Sequence, residues 1–172
     1  LFREEELELG DMLMVAKNNY FWTEQSKETD FIANGDIAVV RRFRRERELY
    51  GFRFADVLLR FPDYNDLELE VKLLLDTLHT DTPALPKEMG DRLYQSVMED
   101  YADITIKRER MKKLKADPQY NALQVKYAYA VTCHKAQGGQ WKRVFLDQGY
   151  MTEEMLSPDY FRWLYTAFTR AT

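Results

Sequence analysis

Two polar stretches near the end of the chain carry residue types that can bind a ligand or assist its chemistry. The first is a Thr-x-His-Lys-x-Gln-Gly-Gly sequence that starts at Thr132. The second ends in Arg170, and an arginine can stabilise the charge that develops on leaving phosphates. Strand-like residues precede the first stretch, and Val144–Asp147 resume strand character after it. Open α/β sheets keep ligand sites at turns between buried strands, so the pattern predicts a site here; a turn without function is the alternative.

A helix should position Arg170. Ser157 supplies an N-cap and Pro158 a first-turn proline, so the helix should begin there. An apolar stripe at helical spacing should face the core: Phe161, Leu164, Tyr165 and Phe168. At about 100° per residue, Arg170 lies opposite the start of that stripe. We therefore expect its guanidinium to be free to enter a cleft.

The two stretches resemble motifs V and VI of superfamily-1 DNA helicases of the RecD type, such as the exonuclease V alpha subunit. The resemblance rests on YAVTCHKAQGGQW at 129–141, VFLD at 144–147 and LYTAFTRA at 164–171. Together the motifs span about a quarter of the chain. The resemblance implies an α/β fold, the incomplete RecA-like (P-loop NTPase-type) second motor domain of such a helicase.

Roles at the nucleotide follow from this resemblance. Arg170 matches the motif VI arginine, which implies that it is the catalytic arginine finger. Gln137 and Gly138 match motif V positions that lie near ATP. Gln140 stands where many relatives place a glutamate that meets the ribose, and its amide can hydrogen-bond but carries no charge.

Nucleic-acid contacts are expected at two places. Thr132 and His134 match motif V positions near the nucleic-acid backbone, and a structural hydrogen bond is the alternative for His134. Arg44 and Arg45 lie in a basic island at 41–48 whose local charge is +3, in a chain of net charge −4. For this island, phosphate contact and an ordinary solvated surface both remain open.

The resemblance also implies cofactors and partners. ATP and Mg²⁺ would serve the full-length protein, and single-stranded DNA would be its track, followed from 5′ to 3′. The seven glycines include no G-x-x-x-x-G-K-S/T phosphate loop, so we expect this chain alone to bind no cofactor tightly and to be inactive. An N-terminal RecA-like domain of the same parent chain would supply the loop. Other repair or recombination subunits are possible partners.

Composition narrows the classes of protein. Of the 172 residues, 45% are hydrophobic and 31% are charged, as in an ordinary globular domain. No run approaches eighteen apolar residues and no basic-then-apolar leader is present, so we expect a cytoplasmic protein with no membrane partner. Cys133 is the single cysteine, and with only His79 and His134 besides it no metal site is expected.

The start of the chain predicts one strand and a turn. Asp11–Ala16 is an apolar run that favours a buried parallel strand. An Asn-Gly-Asp sequence at Asn34 is similar to one in RecD-type helicases, although Ala38 replaces an expected glycine and an ordinary tight turn is the alternative. The chain opens on Leu1 and an acidic lead-in that includes Glu4 and Glu5, so we expect a fragment of a longer protein.

The middle of the chain predicts strands followed by helices. Period-two stretches occur at Ile37–Val40, Tyr50–Phe61 and Leu67–Leu73, separated by an Arg/Glu-rich hairpin and a proline-containing turn. They predict a small twisted barrel or sheet, and the helicases resembled carry an inserted barrel of the Src-homology-three type at this position. After a break at Thr82–Pro86, helices are predicted over 87–101 and 104–114. The second carries a basic island of charge +5, and the segment 86–116 has no assigned role.

The predicted organisation is a RecA-like domain made from 1–32 and 124–172, with a β-rich and helical subdomain inserted at 33–123. The predicted function is the C-terminal motor part of an ATP-dependent 5′–3′ DNA helicase. The alternative is a non-catalytic nucleic-acid- or protein-binding module derived from a helicase. Arg170 favours the motor, and Gln140 slightly favours the module. A nuclease has little support because no carboxylate cluster or metal-ligand spacing is present.

Overall fold

The computed structural model of the protein describes residues 6–24 and 26–172. The acidic residues Glu4 and Glu5 lie outside the described residues. The chain forms two compact units, Leu1–Tyr129 and Ala130–Thr172.

The first unit is built around a closed five-stranded barrel. Its strands are β1 at Met12–Val15, β2 at Ile37–Leu49, β3 at Phe52–Phe61, β4 at Leu67–Leu74 and β5 at Leu123–Tyr127. Neighbours follow chain order and β1 closes against β5. All pairs are antiparallel except the short parallel pair of β4 with β5. The predicted small barrel is confirmed, and the expected Arg/Glu-rich hairpin is part of the long strand β2.

The interpretation of Asp11–Ala16 as a parallel strand is wrong. β1 runs antiparallel to both of its neighbours. Its burial alternates, since Leu13 and Val15 are buried whereas Met12 is exposed. Met12 and Met14 alternate with the buried residues, and both are apolar. In the sequence, this strand with one buried face therefore looks like a strand that is buried on both faces.

The units divide the chain differently from the predicted boundaries. The sequence assigns β1 and β5 to the motor-domain segments 1–32 and 124–172. In the structure both strands close the barrel, and the second unit begins only at Ala130. The pairing of β1 with β5 joins residues far apart in the chain, as in the pair Leu13 and Tyr127. Local sequence patterns carry no information about such a pairing.

Alternation along β3 explains how the barrel fills. Its inner residues are buried in one apolar cluster with the other strands: Ala55, Val57, Leu59 and Phe61. Asp56, Leu58 and Arg60 alternate with them and therefore lie on the outer face. One face thus forms the core while the other is available for contacts.

Two helices cover the start of β3 on that outer face. α1 is Lys87–Asp100 and α2 is Lys107–Lys115, which confirms the predicted pair of helices. They form a second apolar cluster with the barrel, in which the fully or nearly buried residues include Phe52, Phe54, Leu74, Leu93, Val97 and Leu114. The segment 82–86 between barrel and helices has no regular structure, as predicted.

A buried hydroxyl supports the parallel contact between β4 and β5. Thr77 is 0% exposed; its hydroxyl donates to the Leu74 carbonyl at 2.7 Å and accepts from the Val125 N–H at 3.1 Å. Thr77→Val keeps the shape but leaves that N–H without its acceptor. We expect the free energy of unfolding to fall by about 1–3 kcal/mol, measured by urea titration. Thr105→Val, at an exposed residue, should change it by less than about 0.5 kcal/mol; equal effects would contradict the role of Thr77.

Glu6 fastens the chain before β1 to the barrel. Arg53 donates to its carboxylate through both terminal nitrogens, at 2.6 and 3.0 Å, and His79 contacts the same carboxylate. Burial raises the pKa of Glu6, but the hydrogen bonds from Arg53 and His79 outweigh it and hold the pKa below its usual value. The charged form is therefore favoured by folding.

This lowered pKa predicts how stability depends on pH. The stabilising contribution of Glu6 is present above its unfolded-state pKa and is lost as pH falls through the lower folded-state pKa. Glu6→Gln should therefore be less stable than wild type at neutral pH, and the difference should shrink in acid. Urea midpoints measured from neutral pH to about pH 3 test this. Glu24→Gln, at an exposed residue, serves as the control, and a difference independent of pH would contradict the account.

The second unit carries α3 at Pro158–Phe168. The predicted start is confirmed, because the Ser157 hydroxyl accepts from the Tyr160 N–H at 3.2 Å and Pro158 follows at the first turn. The strand expected at Val144–Asp147 is wrong: this segment is not a strand, and Phe145 is 96% exposed. No helix among the residues described is long and apolar enough to cross a membrane.

Among the residues that the structure describes, most of the apolar stripe of α3 is exposed, and only Leu164 of the stripe is half-buried. The exposed fractions are 55% for Phe161, 72% for Tyr165 and 63% for Phe168, whereas Ala167 is buried. The expectation of a core-facing stripe is wrong because the second unit, whose residues 130–172 are all described, forms no sheet that covers the stripe. Helical spacing identifies an amphipathic face but does not supply its cover.

Candidate functional site

The Thr-x-His-Lys-x-Gln-Gly-Gly sequence forms a compact turn held by its own backbone. The Ala136 N–H donates to the Thr132 carbonyl at 3.0 Å, and the Gly139 N–H donates to the Ala136 carbonyl at 3.2 Å. The Thr132 hydroxyl accepts from the Lys135 N–H at 3.4 Å. The sequence prediction of a turn is confirmed.

The turn requires glycine at two positions, for different structural reasons. Gly138 has φ of +88°, in the left-handed region that favours glycine. At Gly139 an added Cβ would come within 2.2 Å of the Trp141 ring, so only glycine lets the ring lie against the backbone. Trp141 is therefore a packing residue of the turn, although 45% of it is exposed.

Arg170 follows α3, and its guanidinium is held by the second unit. Nε donates to the Thr166 carbonyl at 3.2 Å, one terminal nitrogen donates to the Gly139 carbonyl at 3.3 Å, and the other to the Thr169 hydroxyl at 3.2 Å. The expectation of a free guanidinium is wrong because α3 ends at Phe168 and the helical angle does not extend to Arg170. Contacts with the residues that the structure describes use three of its five N–H groups, which leaves two for an anion.

Backbone contacts tie the turn to the segment that carries Arg170. The Trp141 N–H donates to the Arg170 carbonyl at 2.9 Å, and the Thr172 N–H donates to the Trp141 carbonyl at 3.0 Å. The thiol of Cys133, which is half-buried, donates to the Trp163 carbonyl at 3.7 Å. Sequence reasoning missed these pairings, and the adjacent glycines were the one signal of a close approach. The two motifs thus form one structural unit.

The structure brings some of the predicted site residues together and leaves others as exposed side chains. Arg170 contacts the turn at Gly139, beside Gln140. Within the described chain, the side chains of His134, Gln137 and Gln140 are exposed and make no hydrogen bond. They are open to a ligand, and the structural hydrogen bond weighed for His134 is not formed. Among the residues that the structure describes, no group of three or more His, Cys, Asp or Glu side chains is placed to hold a metal ion.

Arg44 and Arg45 lie in the first unit, on β2. Arg44 forms an ion pair with Glu70, whereas Arg45 stands opposite Asp56 in the β2–β3 ladder. Asp56 itself pairs with Lys72. The two arginines therefore differ in how much of their charge is available to another molecule.

Comparison with known proteins assigns part of the chain. Residues 127–172, about a quarter of the sequence, match the UvrD-like helicase C-terminal domain. This segment is therefore similar to the C-terminal domain of a superfamily-1 helicase, which gives it a helicase-related ATPase context. No curated protein matches the chain.

Proposed function

We propose that this chain is the C-terminal motor part of an ATP-dependent DNA helicase of the RecD type that moves from 5′ to 3′ on single-stranded DNA. The observation that carries the proposal is the contact between Arg170 and Gly139 inside the segment that matches a helicase C-terminal domain. In this proposal, residues 130–172 are the part of the chain that belongs to the RecA-like motor domain. The His-Lys-x-Gln-Gly sequence supports the RecD type.

Arg170 is the arginine finger in this proposal. The guanidinium of Arg170 is fixed by the hydrogen bonds that it donates to the carbonyls of Gly139 and Thr166. Two of its N–H groups remain for phosphate oxygens. A guanidinium held before the reaction stabilises transition-state charge without reorganisation. When bound, Mg²⁺ would supply positive charge that offsets part of the negative charge of the phosphates.

The residues of the turn suit ATP rather than a metal. Gln137 and Gln140 present exposed amides that can donate to phosphate or ribose oxygens, and Gly138 keeps the backbone accessible. A phosphate loop on the N-terminal RecA-like domain of the parent chain would hold most of the nucleotide. Closure of the two domains on ATP would then bring Arg170 to the phosphates.

Thr132 and His134 contact the DNA backbone in this proposal, and the basic strand β2 adds phosphate contacts. The His134 side chain is exposed and forms no hydrogen bond within the described residues, so it is available as a donor. Other repair or recombination subunits and a cytoplasmic location belong to the same proposal.

A binding module derived from a helicase is the second candidate. Gln140, in place of a charged ribose contact, favours it, as does the closed barrel with its arginine-rich strand β2. In that case the chain binds nucleic acid without turning over ATP.

Unwinding of tailed duplexes by the full-length parent protein tests the proposal. We expect ATP-dependent unwinding of a duplex with a 5′ single-stranded tail and little unwinding of one with a 3′ tail. Preference for the 3′ tail would contradict the RecD-type assignment. Binding of both substrates with no unwinding of either would favour the module.

A further inference from the structure

β2 carries five arginines, and its pairing with β3 is irregular where they lie. The register shifts twice, at Arg41 and at Arg44, and each shift leaves that arginine as an extra residue. An extra residue on one strand of an antiparallel pair is a β-bulge, which changes the side to which the following residues point. The bulges therefore decide where the arginines face.

The register places three of these arginines on the outer face. Cross-strand partners share a face of the sheet. The partners in β3 are all outer-face residues: Arg42 pairs with Leu58, Arg45 with Asp56 and Arg47 with Phe54. In a strand without bulges, residues 42, 45 and 47 would not share one face. By the same register, Glu46 and Glu48 lie on the opposite face.

The two bulged arginines lie on the same face but are already paired. Arg41 Nε lies 3.6 Å from the Glu68 carboxylate, and Arg44 forms an ion pair with Glu70. These glutamates alternate with the buried residues of β4 and so point outward. The outer face of β2 thus holds five arginines, which we call the arginine face: Arg41, Arg42, Arg44, Arg45 and Arg47.

Arg42, Arg45 and Arg47 keep their charge available. All three are exposed, and none forms an ion pair or hydrogen bond within the described chain. Asp56, which stands opposite Arg45 in the ladder, pairs with Lys72. Three uncompensated guanidinium groups therefore stand in a row on a protein of net charge −4.

We propose that Arg42, Arg45 and Arg47 of the arginine face bind consecutive phosphates of a single-stranded nucleic acid. This proposal rests on the proposed function and assigns it a site on the barrel. In this proposal Arg44 is no longer a phosphate contact, because Glu70 compensates its charge.

The spacing of the row suits an extended strand. The β3 partners of the three arginines are two residues apart, so the row advances by about 6.6 Å per step. One nucleotide of an extended single strand advances by a similar length, so each guanidinium can meet a successive phosphate. Arginine also donates in a fork that matches phosphate oxygens.

An aromatic ring lies beside the row. The half-buried Trp22 lines a shallow groove of about 500 Å³ together with Arg44, Arg45 and Arg47. The carboxylates of Asp56 and Glu70 also line this groove, and they pair with Lys72 and Arg44. Proteins that bind single strands usually place aromatic side chains beside a positively charged groove. The unpaired bases of the single strand stack on these aromatic rings. This neighbour favours a nucleic acid over an acidic protein as the occupant.

Two double variants with equal loss of charge test the site in the 172-residue chain. The test variant is Arg42→Gln with Arg45→Gln, and the matched control is Arg41→Gln with Arg44→Gln. Binding of fluorescently labelled oligothymidylate is measured by anisotropy across a range of salt concentrations. Both variants lower the net charge by the same amount, so a difference between them reports direct phosphate contact rather than the general field of the protein.

We expect the test variant to flatten the slope of log affinity against log salt by about 1.4, because each lost contact to a single strand contributes about 0.7. The control should change the slope much less. Equal effects of the two variants, no effect of the test variant, or equally tight binding of poly-glutamate would each overturn the proposal. Circular dichroism of both variants verifies that the barrel is intact.

Failure of this proposal and failure of the proposed function have different signatures. Loss of DNA-stimulated ATP turnover in the parent protein, with the slope change intact, rejects the motor and keeps the arginine face. An unchanged slope with normal turnover rejects the arginine face and keeps the motor.

Discussion

Arg170→Ala in the full-length parent protein is expected to lower DNA-stimulated ATP turnover by about a thousandfold or more. The guanidinium would stabilise charge that develops only in the transition state, so its removal should lower kcat more than nucleotide affinity. Steady-state turnover and equilibrium binding of a fluorescent ATP analogue measure the two effects separately.

Arg170 also holds the turn together, so the variant needs controls for structure. Its side chain donates to the carbonyls of Gly139 and Thr166, and the alanine variant loses both bonds. Arg170→Lys keeps a positive charge but loses the planar fork, and we expect it to bind ATP while recovering little turnover. Arg162→Ala removes an exposed arginine whose guanidinium, within the described part of the chain, bonds only to Asp159, 2.7 Å away; this variant should turn over ATP at the wild-type rate. Turnover at the wild-type rate in Arg170→Ala would contradict the role of this residue.

Phe54→Ala is expected to cost about 3–5 kcal/mol in free energy of unfolding. Phe54 is 2% exposed and lies in the cluster that joins β3 to the two helices of the first unit. The substitution removes most of a buried aromatic ring and leaves a cavity between the barrel and the helices. A urea titration that follows far-ultraviolet circular dichroism measures the loss.

Phe145→Ala is the matched control for this substitution. It removes the same atoms from a side chain that is 96% exposed, so we expect a change within about 0.5 kcal/mol. A loss below about 1 kcal/mol in Phe54→Ala, or equal losses in the two variants, would contradict the packing described for the second cluster.

Local patterns in the sequence predict the elements that depend on near neighbours. Apolar residues that alternate with period two identify the strands that begin at Ile37, Phe52 and Leu67. The Ser157-Pro158 pair identifies the start of α3. The Gln-Gly-Gly sequence identifies the turn at Gly138, whose backbone lies in the left-handed region. In each case a few adjacent residues carry the physical cause.

Features that depend on distant residues could not be predicted in this way. Closure of the barrel requires Leu13 to pair with Tyr127, and the hold on Arg170 requires the Gly139 carbonyl 31 residues earlier. The bulges at Arg41 and Arg44 are hidden because residues 41–48 are all charged except Phe43, so the stretch has no alternation to interrupt. Long-range pairing therefore decides both the domain boundary and the direction of the arginines.

The exposed stripe of α3 illustrates the same limit. Helical spacing correctly groups Phe161, Tyr165 and Phe168 on one face, but the spacing cannot specify what covers that face. The helix prediction holds while the prediction of burial fails. Amphipathic periodicity is thus evidence for a helix and only a hypothesis about its neighbour.

ATP turnover by the full-length parent protein, with and without single-stranded DNA, tests the central claim most directly. The account predicts slow turnover alone and a saturable increase as DNA is added, because residues 130–172 are proposed to supply Arg170 to the phosphates when the motor closes on its track. No DNA-stimulated turnover by a parent protein that binds both ATP and DNA would contradict the motor and favour a binding module.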